Sequence, residues 1–486
     1  MDKQTITAKE QRAVLKRLLS YAGTYRKEFI FAFILLIFAT IGEIIGPYLV
    51  KVFIDDYLTP SSFDVGPITT LASLYIGILI VKTILTYFQL LKFQEISLKI
   101  IQDLRIDVFS KVQKLGLKFF DKTPGGSIVS RVTNDTEAIK DMFVSVISTF
   151  VQNGVFLIGI FIAMFLLNVQ LALFCLLIIP IIFGIMATYR HFSSRFYADM
   201  RERLSQLNAK LNESLQGMSI IQVFRQERRL RKEFSDINDA HYKAGMKNIK
   251  LDGLLLRPAI DLVYVFSLIL VLSYFGIASL SNEIEIGVLY AFVNYLGRFF
   301  EPVNQMMMRL SMYQQAIVSA SRVFTLLDEK ELAPVAQREN SHTISKGEIE
   351  FKNVTFSYDG SRDVLKNISF TAKQGETIAL VGHTGSGKSS IINLLMRFYA
   401  IEKGDILIDG VSIKDFQDEE LRKKMGLVLQ DPFLFYGTIN HNIRLHDESI
   451  TDKEIVEAAE FVQANHFIER LPDKYEQLVV ERGSTF

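Results

Sequence analysis

Residues Met142 to Tyr189 read MFVSVISTFVQNGVFLIGIFIAMFLLNVQLALFCLLIIPIIFGIMATY, 48 positions without a single Asp, Glu, Lys or Arg. A helix needs about 20 apolar residues to cross the hydrocarbon of a bilayer. The stretch is therefore two spans, broken at the short polar turn Asn168-Val169-Gln170. Working outward, further apolar runs lie at 29–50, 71–88, 144–167, 169–186, 262–281 and, more weakly, 286–297.

Loop charges test that count, because basic loops stay on the cytoplasmic side. Lys and Arg number seven before the first run, one (Lys51) in the next loop and nine in 89–141. The turn at Asn168 has none, 190–261 has fourteen, and 281–285 has none. The alternation predicts six spans with both termini in the cytoplasm. The two long basic segments are poor in Pro and Gly and show helical spacing, as at Leu98, Ile101, Leu104, Arg105 and Val108. The spanning helices are expected to continue well past the bilayer. Near the start, Val14, Leu15, Leu18 and Leu19 beside Arg12, Lys16 and Arg17 predict an amphipathic helix at the inner membrane surface. A solvated helix packed on protein is the other reading.

Charges inside the runs stand out. Glu43 and Lys82 interrupt the first two, and Arg298, Glu301 and Arg309 follow the sixth. A charge at the bilayer centre costs about 2.5–3.5 kcal/mol on insertion scales. These side chains therefore lie beyond the membrane core, face a wet interior or pair with one another. A substrate cavity and a structural pairing both remain open. Net charge is only +1, which gives no sign of a nucleic-acid partner. Cys175 is the sole cysteine and sits in an apolar run, so no intrachain disulfide or cysteine metal cluster is expected. The first 28 residues are charged throughout, without the apolar core of a cleavable signal peptide.

A second stretch brings the chemistry: Gly382-His-Thr-Gly-Ser-Gly-Lys-Ser389. Gly382, Gly385 and Gly387 let the backbone of Gly382, His383, Thr384, Gly385, Ser386 and Gly387 curl its N–H groups toward phosphate oxygens. The following helix N-terminus adds to that field. Lys388 supplies a point charge to the outer phosphates, Ser389 a hydroxyl to Mg²⁺, and Ser390 completes the opening turn. The context fits. Thr377–Val381 reads as a buried strand and 389–399 as a helix. Upstream, 328–347 has linker composition, and alternation at Ile349, Phe351, Val354, Phe356 and Tyr358 predicts a strand broken at Asn353. Thr451 to Glu454 reads as a helix capping box. His441, His446 and His466 read as surface or helix residues. A phosphate cradle in a membrane-spanning chain points to an ATP-powered membrane machine.

Residues 349–486 resemble the nucleotide-binding domain of ATP-binding cassette transporters. Tyr358 stands where that family keeps an aromatic that stacks on adenine. Gln430, in Leu-Gln-Asp-Pro, matches the glutamine that approaches Mg²⁺ and the attacking water, and 433–440 looks like the exporter version of that region. In the membrane half, 119–126 and 130–135 resemble the family's first cytoplasmic loop. Glu213, Gly217 and Phe224 resemble the second. Each such loop carries a coupling helix that docks on a nucleotide domain.

The resemblance implies a membrane all-α six-helix domain with long cytoplasmic extensions, followed by an α/β P-loop nucleotide-binding domain. The expected divisions are an amphipathic segment at 1–28, the transmembrane domain at 29–327, a linker at 328–347 and the nucleotide-binding domain at 348–486. It further implies ATP and Mg as cofactors and multi-pass residence in the plasma membrane. The expected partner is a second half-transporter subunit, identical or different. The expected activity is ATP-driven export of a small amphipathic molecule by alternating access. A lipid flippase, a peptide exporter or an ATP-switched regulatory membrane protein are the alternatives. The sequence stops at Glu481-Arg-Gly-Ser-Thr-Phe486, at the threshold of the family's signature motif. A longer reading frame is expected, with weak ATP binding but no hydrolysis by this stretch alone. No catalytic carboxylate or switch histidine can be assigned within it.

Overall fold

A computed structural model describes residues 7–256, 258–280, 285–336, 342–430, 433–445 and 447–480. His446, Asp431, Pro432, the loop 281–284, part of the linker (337–341) and 481–486 lie outside the described residues. The chain forms two units, 1–115 with 119–332 and 116–118 with 333–486.

The first unit is helical: α1 (Ala8–Ala22), α2 (Arg26–Phe53), α3 (Val65–Lys114), α4 (Ser148–Leu167), α5 (Ile178–Gln216), α6 (Glu227–Leu251), α7 (Pro258–Ala278) and α8 (Ile286–Leu327), with shorter turns between. Among the described residues, five helical stretches are long and apolar enough to cross a membrane: Lys9–Leu58, Val65–Lys114, Gly125–Leu167, Val169–Gln216 and Glu227–Ala278. The sixth expected span, α8, forms a 42-residue helix but is not among them. Its surroundings explain why. Ala291, Phe292, Tyr295, Leu296, Ala316 and Ala320 are buried against the rest of the unit. A helix with one face packed on protein need not be apolar on the other.

At 50 residues, α3 is about 75 Å long. That far exceeds the roughly 30 Å hydrocarbon core, so the helix continues beyond it as expected. Its buried seam is Phe93, Ile96, Ile100, Ile101, Leu104 and Val108, packed with Ile139, Met142 and Val323. Leu98 faces outward, a residue off the predicted stripe. Asn168 breaks the long apolar stretch by capping the next helix, its Oδ1 accepting from the Leu171 N–H at 3.1 Å. Cys175 is buried and free.

The membrane-surface expectation for α1 needs correction. Leu18 is buried in the protein core, with Val14, Leu15 and Tyr21 against it. The Tyr21 hydroxyl donates to Asp107 at 2.9 Å, and the hydroxyl of the neighbouring Tyr25 donates to Asp103 at 2.7 Å. Arg17 donates to Asp328 at 2.6 Å, its guanidinium 4.4 Å above the Phe324 ring. The apolar face is already used on protein, which was the second reading.

The second unit is built on an antiparallel sheet in the order β2-β1-β3-β4: β1 (Ile349–Phe356), β2 (Leu365–Ala372), β3 (Lys403–Ile408) and β4 (Val411–Ser412). Its core is Phe351, Val354, Phe356, Leu394, Ile406, Ile413 and Phe416. Register shifts in β1 flank Asn353, whose φ is +51°, so the break falls where the alternation failed. Two expectations fail. Thr377–Val381 has no regular secondary structure and joins no sheet, and Val381 is 90% exposed. A strand needs a hydrogen-bonding neighbour, and the described residues offer it none. The helix after the phosphate motif, α9 (Lys388–Leu395), ends four residues short of Tyr399. There Arg397 turns to φ +52° and its buried guanidinium donates to the carbonyls of Ile413 and Phe416, both at 2.7 Å, while pairing with Asp418. The capping box of Thr451 and Glu454 is present.

Candidate functional site

The phosphate motif folds as a tight exposed loop ending at Gly387, the left-handed N-cap of α9 with φ +92°. A Cβ on Gly387 would lie 2.7 Å from the Leu365 side chain, so only glycine fits both the dihedral and the space. Gly385 also takes positive φ, at +84°. The Ser386 N–H closes a turn on the His383 carbonyl at 3.2 Å. The His383 ring sits 2.9 Å from the Thr384 carbonyl. Lys388 folds back over the loop, its Nζ donating to the carbonyls of Gly382 at 2.7 Å and His383 at 3.0 Å. These are neutral acceptors for a full positive charge, and a phosphate oxygen would be a stronger one. Residues 382–386 and Ser389 are exposed, so an anion can reach them.

Tyr358 lies beside this helix. Its hydroxyl is 3.0 Å from the Ser390 Oγ, and Asn393 reaches it at 3.5 Å. Its ring packs edge-on with Phe356 and Tyr399 at 4.8 and 5.0 Å. Ser390 is buried, its hydroxyl engaged by Tyr358 rather than presented to a ligand. The turn after Tyr358 is held by Asp359, which accepts from the Ser361 hydroxyl at 2.6 Å and from the Ser361 and Arg362 N–H groups. The Ser361 hydroxyl first, and these amides next, keep the Asp359 carboxyl well below the usual range. Sequence reading missed Asp359. Its signal was the Ser-Tyr-Asp-Gly-Ser run at 357–361, a typical side-chain-to-backbone turn. Gln430 ends the irregular segment 425–430 and is exposed. Tyr358 is thus joined to the phosphate-loop helix through Ser390 and Asn393.

The donor set suits magnesium that arrives with a nucleotide. Ser389 offers an open hydroxyl, and phosphates would supply the remaining charge. Among the described residues no three His, Cys, Asp or Glu side chains converge on a metal position. His441 starts no such cluster, and His466 is exposed on a short helix.

In the helical unit, the motif 130–135 ends at Asp135, which is buried and paired with Arg322 of α8 at 2.5 Å. That aspartate is a structural anchor. The second loop motif forms a short helix, Met218–Val223, after Gly217 ends α5. Ile220, Val223 and Phe224 there are largely exposed, Phe224 at 68%. The charges inside the apolar runs also meet. Lys82 Nζ lies 3.2 Å from Glu43 Oε2, and Arg298 Nη1 lies 3.4 Å from Glu43 Oε1. Sequence reading named all three residues but had no way to join them.

Comparison with known proteins places these features in one lineage. A family model described as the ABC transporter transmembrane region matches residues 29–303, and one described as ABC transporter matches 365–480. The chain is 43% identical over 477 residues to a Streptococcus pneumoniae protein named putative ABC transporter ATP-binding protein exp8, spanning 98% of this chain and 81% of that one. It is 44% identical over 424 residues to the Bacillus subtilis probable multidrug resistance ABC transporter ATP-binding/permease protein YheH, spanning 87% of this chain and 63% of that protein. Among solved structures, a bacterial Atm1-family ABC exporter with ATP bound matches with a TM-score of 0.74 at 24% identity, over 95% of this chain and 81% of that one. That likeness concerns the fold.

Proposed function

This chain belongs to the ABC transporter family, an ATP-hydrolysing membrane exporter by its relatives, and from that premise we propose that it exports a small amphipathic molecule from the plasma membrane as half of a dimer. The observation that carries the reading is the exposed glycine loop with Lys388 poised over it, in one chain with five membrane-length apolar helices. Lys388 would leave its own carbonyls for the outer phosphates, Ser389 would meet magnesium, and Tyr358 would back the adenine. Gln430 would close on the nucleotide only after its segment moves. The termini lie in the cytoplasm on this reading, as the loop charges require.

The exposed apolar side chains of Ile220, Val223 and Phe224 would form one coupling surface toward a nucleotide unit. ATP shifts the transporter only as far as it binds the closed dimer better than the open one. Hydrolysis then removes that preference and resets the cycle. The names of the relatives, multidrug resistance among them, favour drug-like cargo.

The test is ATP-dependent accumulation of a fluorescent amphiphile in proteoliposomes holding the full-length protein. Uptake that requires ATP and vanishes with Lys388→Ala supports the reading. ATP turnover that no amphiphile alters, with no uptake, overturns it.

A further inference from the structure

Glu43, Lys82 and Arg298 come from α2, α3 and α8, so three separate helices bring charge to one point inside the apolar runs. The approach of α2 and α3 is set by a glycine. A Cβ on Gly42 would stand 3.2 Å from the Lys82 Cβ, so Lys82 would have to give by a few tenths of an ångström. Each carboxylate oxygen of Glu43 faces one cation. The sum is one negative charge against two positive ones. The ammonium and guanidinium keep N–H donors beyond those Glu43 can accept. Side-chain exposures of 34% for Glu43, 27% for Lys82 and 42% for Arg298 leave the cluster open on one side.

Among the described residues, Glu43 is the carboxylate ion-paired to Lys82 and Arg298. Glu301, one turn along α8, accepts from Gln305 at 3.1 Å and makes no ion pair with Arg298. Lys51, farther along α2, pairs with Asp55 just past the end of that helix, with Glu285 also on Lys51. The exposed positions on α8 continue from Arg298 through Glu301, Gln305 and Met308, polar at first and apolar at the last. Such a strip suits a ligand with a charged end and an apolar body.

We propose that the Glu43–Lys82–Arg298 cluster is a charge-selecting subsite that takes the anionic group of an amphiphile, a carboxylate, sulfonate or phosphate on an apolar tail. The inference rests on the export reading and sharpens its substrate class. Glu43 offsets one of the two positive charges. It thereby sets the excess at one charge, enough to recognise an anion without holding it permanently.

The test uses the full-length transporter in nanodiscs of neutral lipid, with 11-(dansylamino)undecanoic acid, its methyl ester and a trimethylammonium analogue as probes. Affinity is read from dansyl fluorescence. The acid should bind about tenfold tighter than the ester. Arg298→Gln and Lys82→Gln, which leave the cluster neutral, should abolish that preference and leave the ester unchanged. Glu43→Gln should increase it. The double variant Glu43→Gln/Lys82→Gln restores one net positive charge and should restore the preference, which keeps the test decisive if Lys82→Gln alone misfolds. Adding anionic lipid should compete if headgroups share the subsite, and leave acid binding unchanged if only free amphiphiles enter. Equal binding of acid and ester, tightest binding of the ammonium probe, or variants that weaken all probes alike would overturn the proposal. If no probe binds and none alters ATP turnover, it is the export reading that fails.

Discussion

Leu166 and Val381 are both apolar and both nearly bare, at 82% and 90% exposure, yet they belong to opposite situations. Leu166 sits near the end of α4, whose backbone groups are satisfied within the helix. Such a segment asks only for an apolar solvent, and a bilayer supplies it. Val381 sits on an irregular segment that joins no sheet, and 425–430, which holds Val428 at 97% exposure, is alike. Lipid cannot serve there, because open backbone groups need hydrogen-bonding partners. Apolar exposure therefore carries two meanings, and the backbone decides between them.

Hydrogen exchange should show the largest contrast. In the chain of 486 residues, amides of 377–381 and 425–430 should exchange at least roughly a thousandfold faster than those of 96–104 in α3. Equal protection would break the comparison. Next comes Lys388→Ala in the full-length transporter. Loss of the one cation over the glycine loop should cut ATP turnover roughly a hundredfold, about 2.7 kcal/mol, while the helical unit keeps its melting behaviour. A matched loss of helical stability would show that the two units do not divide as described.

Arg322→Ala tests the helical side. It strands the buried Asp135 carboxylate, although Arg322 itself is half exposed. A cost of about 2 kcal/mol is expected, between the limits for surface and buried pairs, with part of it recovered by adding Asp135→Asn. Thermal unfolding reads both. Tyr358→Ala should weaken ATP binding about tenfold through lost base stacking, whereas Tyr358→Phe should cost only two- to threefold through the Ser390 contact. Equal effects would mean that the hydroxyl, not the ring, matters.

The smallest effect is acid sensitivity. Asp409 accepts from the Lys346, Ser345 and Glu348 amides, which hold its carboxyl down at about 2. A depressed folded value gives stability that is full above the unfolded value of about 4 and fades as pH falls toward about 2. The melting temperature of the nucleotide unit should therefore drop in that window, and Asp409→Asn should flatten the drop.

The sequence made the helical unit legible because crossing lipid imposes a length, and five of the six apolar runs lie in described helices that meet it. The glycine loop was legible because its chemistry demands glycines and a lysine at fixed spacing. Pairings between distant residues were not. Asp135 with Arg322 and Glu43 with Arg298 are 187 and 255 residues apart, and no local pattern links them. Thr377–Val381 shows the remaining gap. An apolar run records what a segment prefers, but a strand forms only where something lies alongside it.

The bond between Arg17 and Asp328 joins positions 311 residues apart. At roughly 5–20 residues per second of synthesis, the first helix emerges many seconds before its clamp exists. The N-terminal helix must wait on the ribosome's later output, held meanwhile by Asp103 and Asp107 of α3. Asp328, just past the end of α8, can therefore meet Arg17 only after the whole helical half has been made.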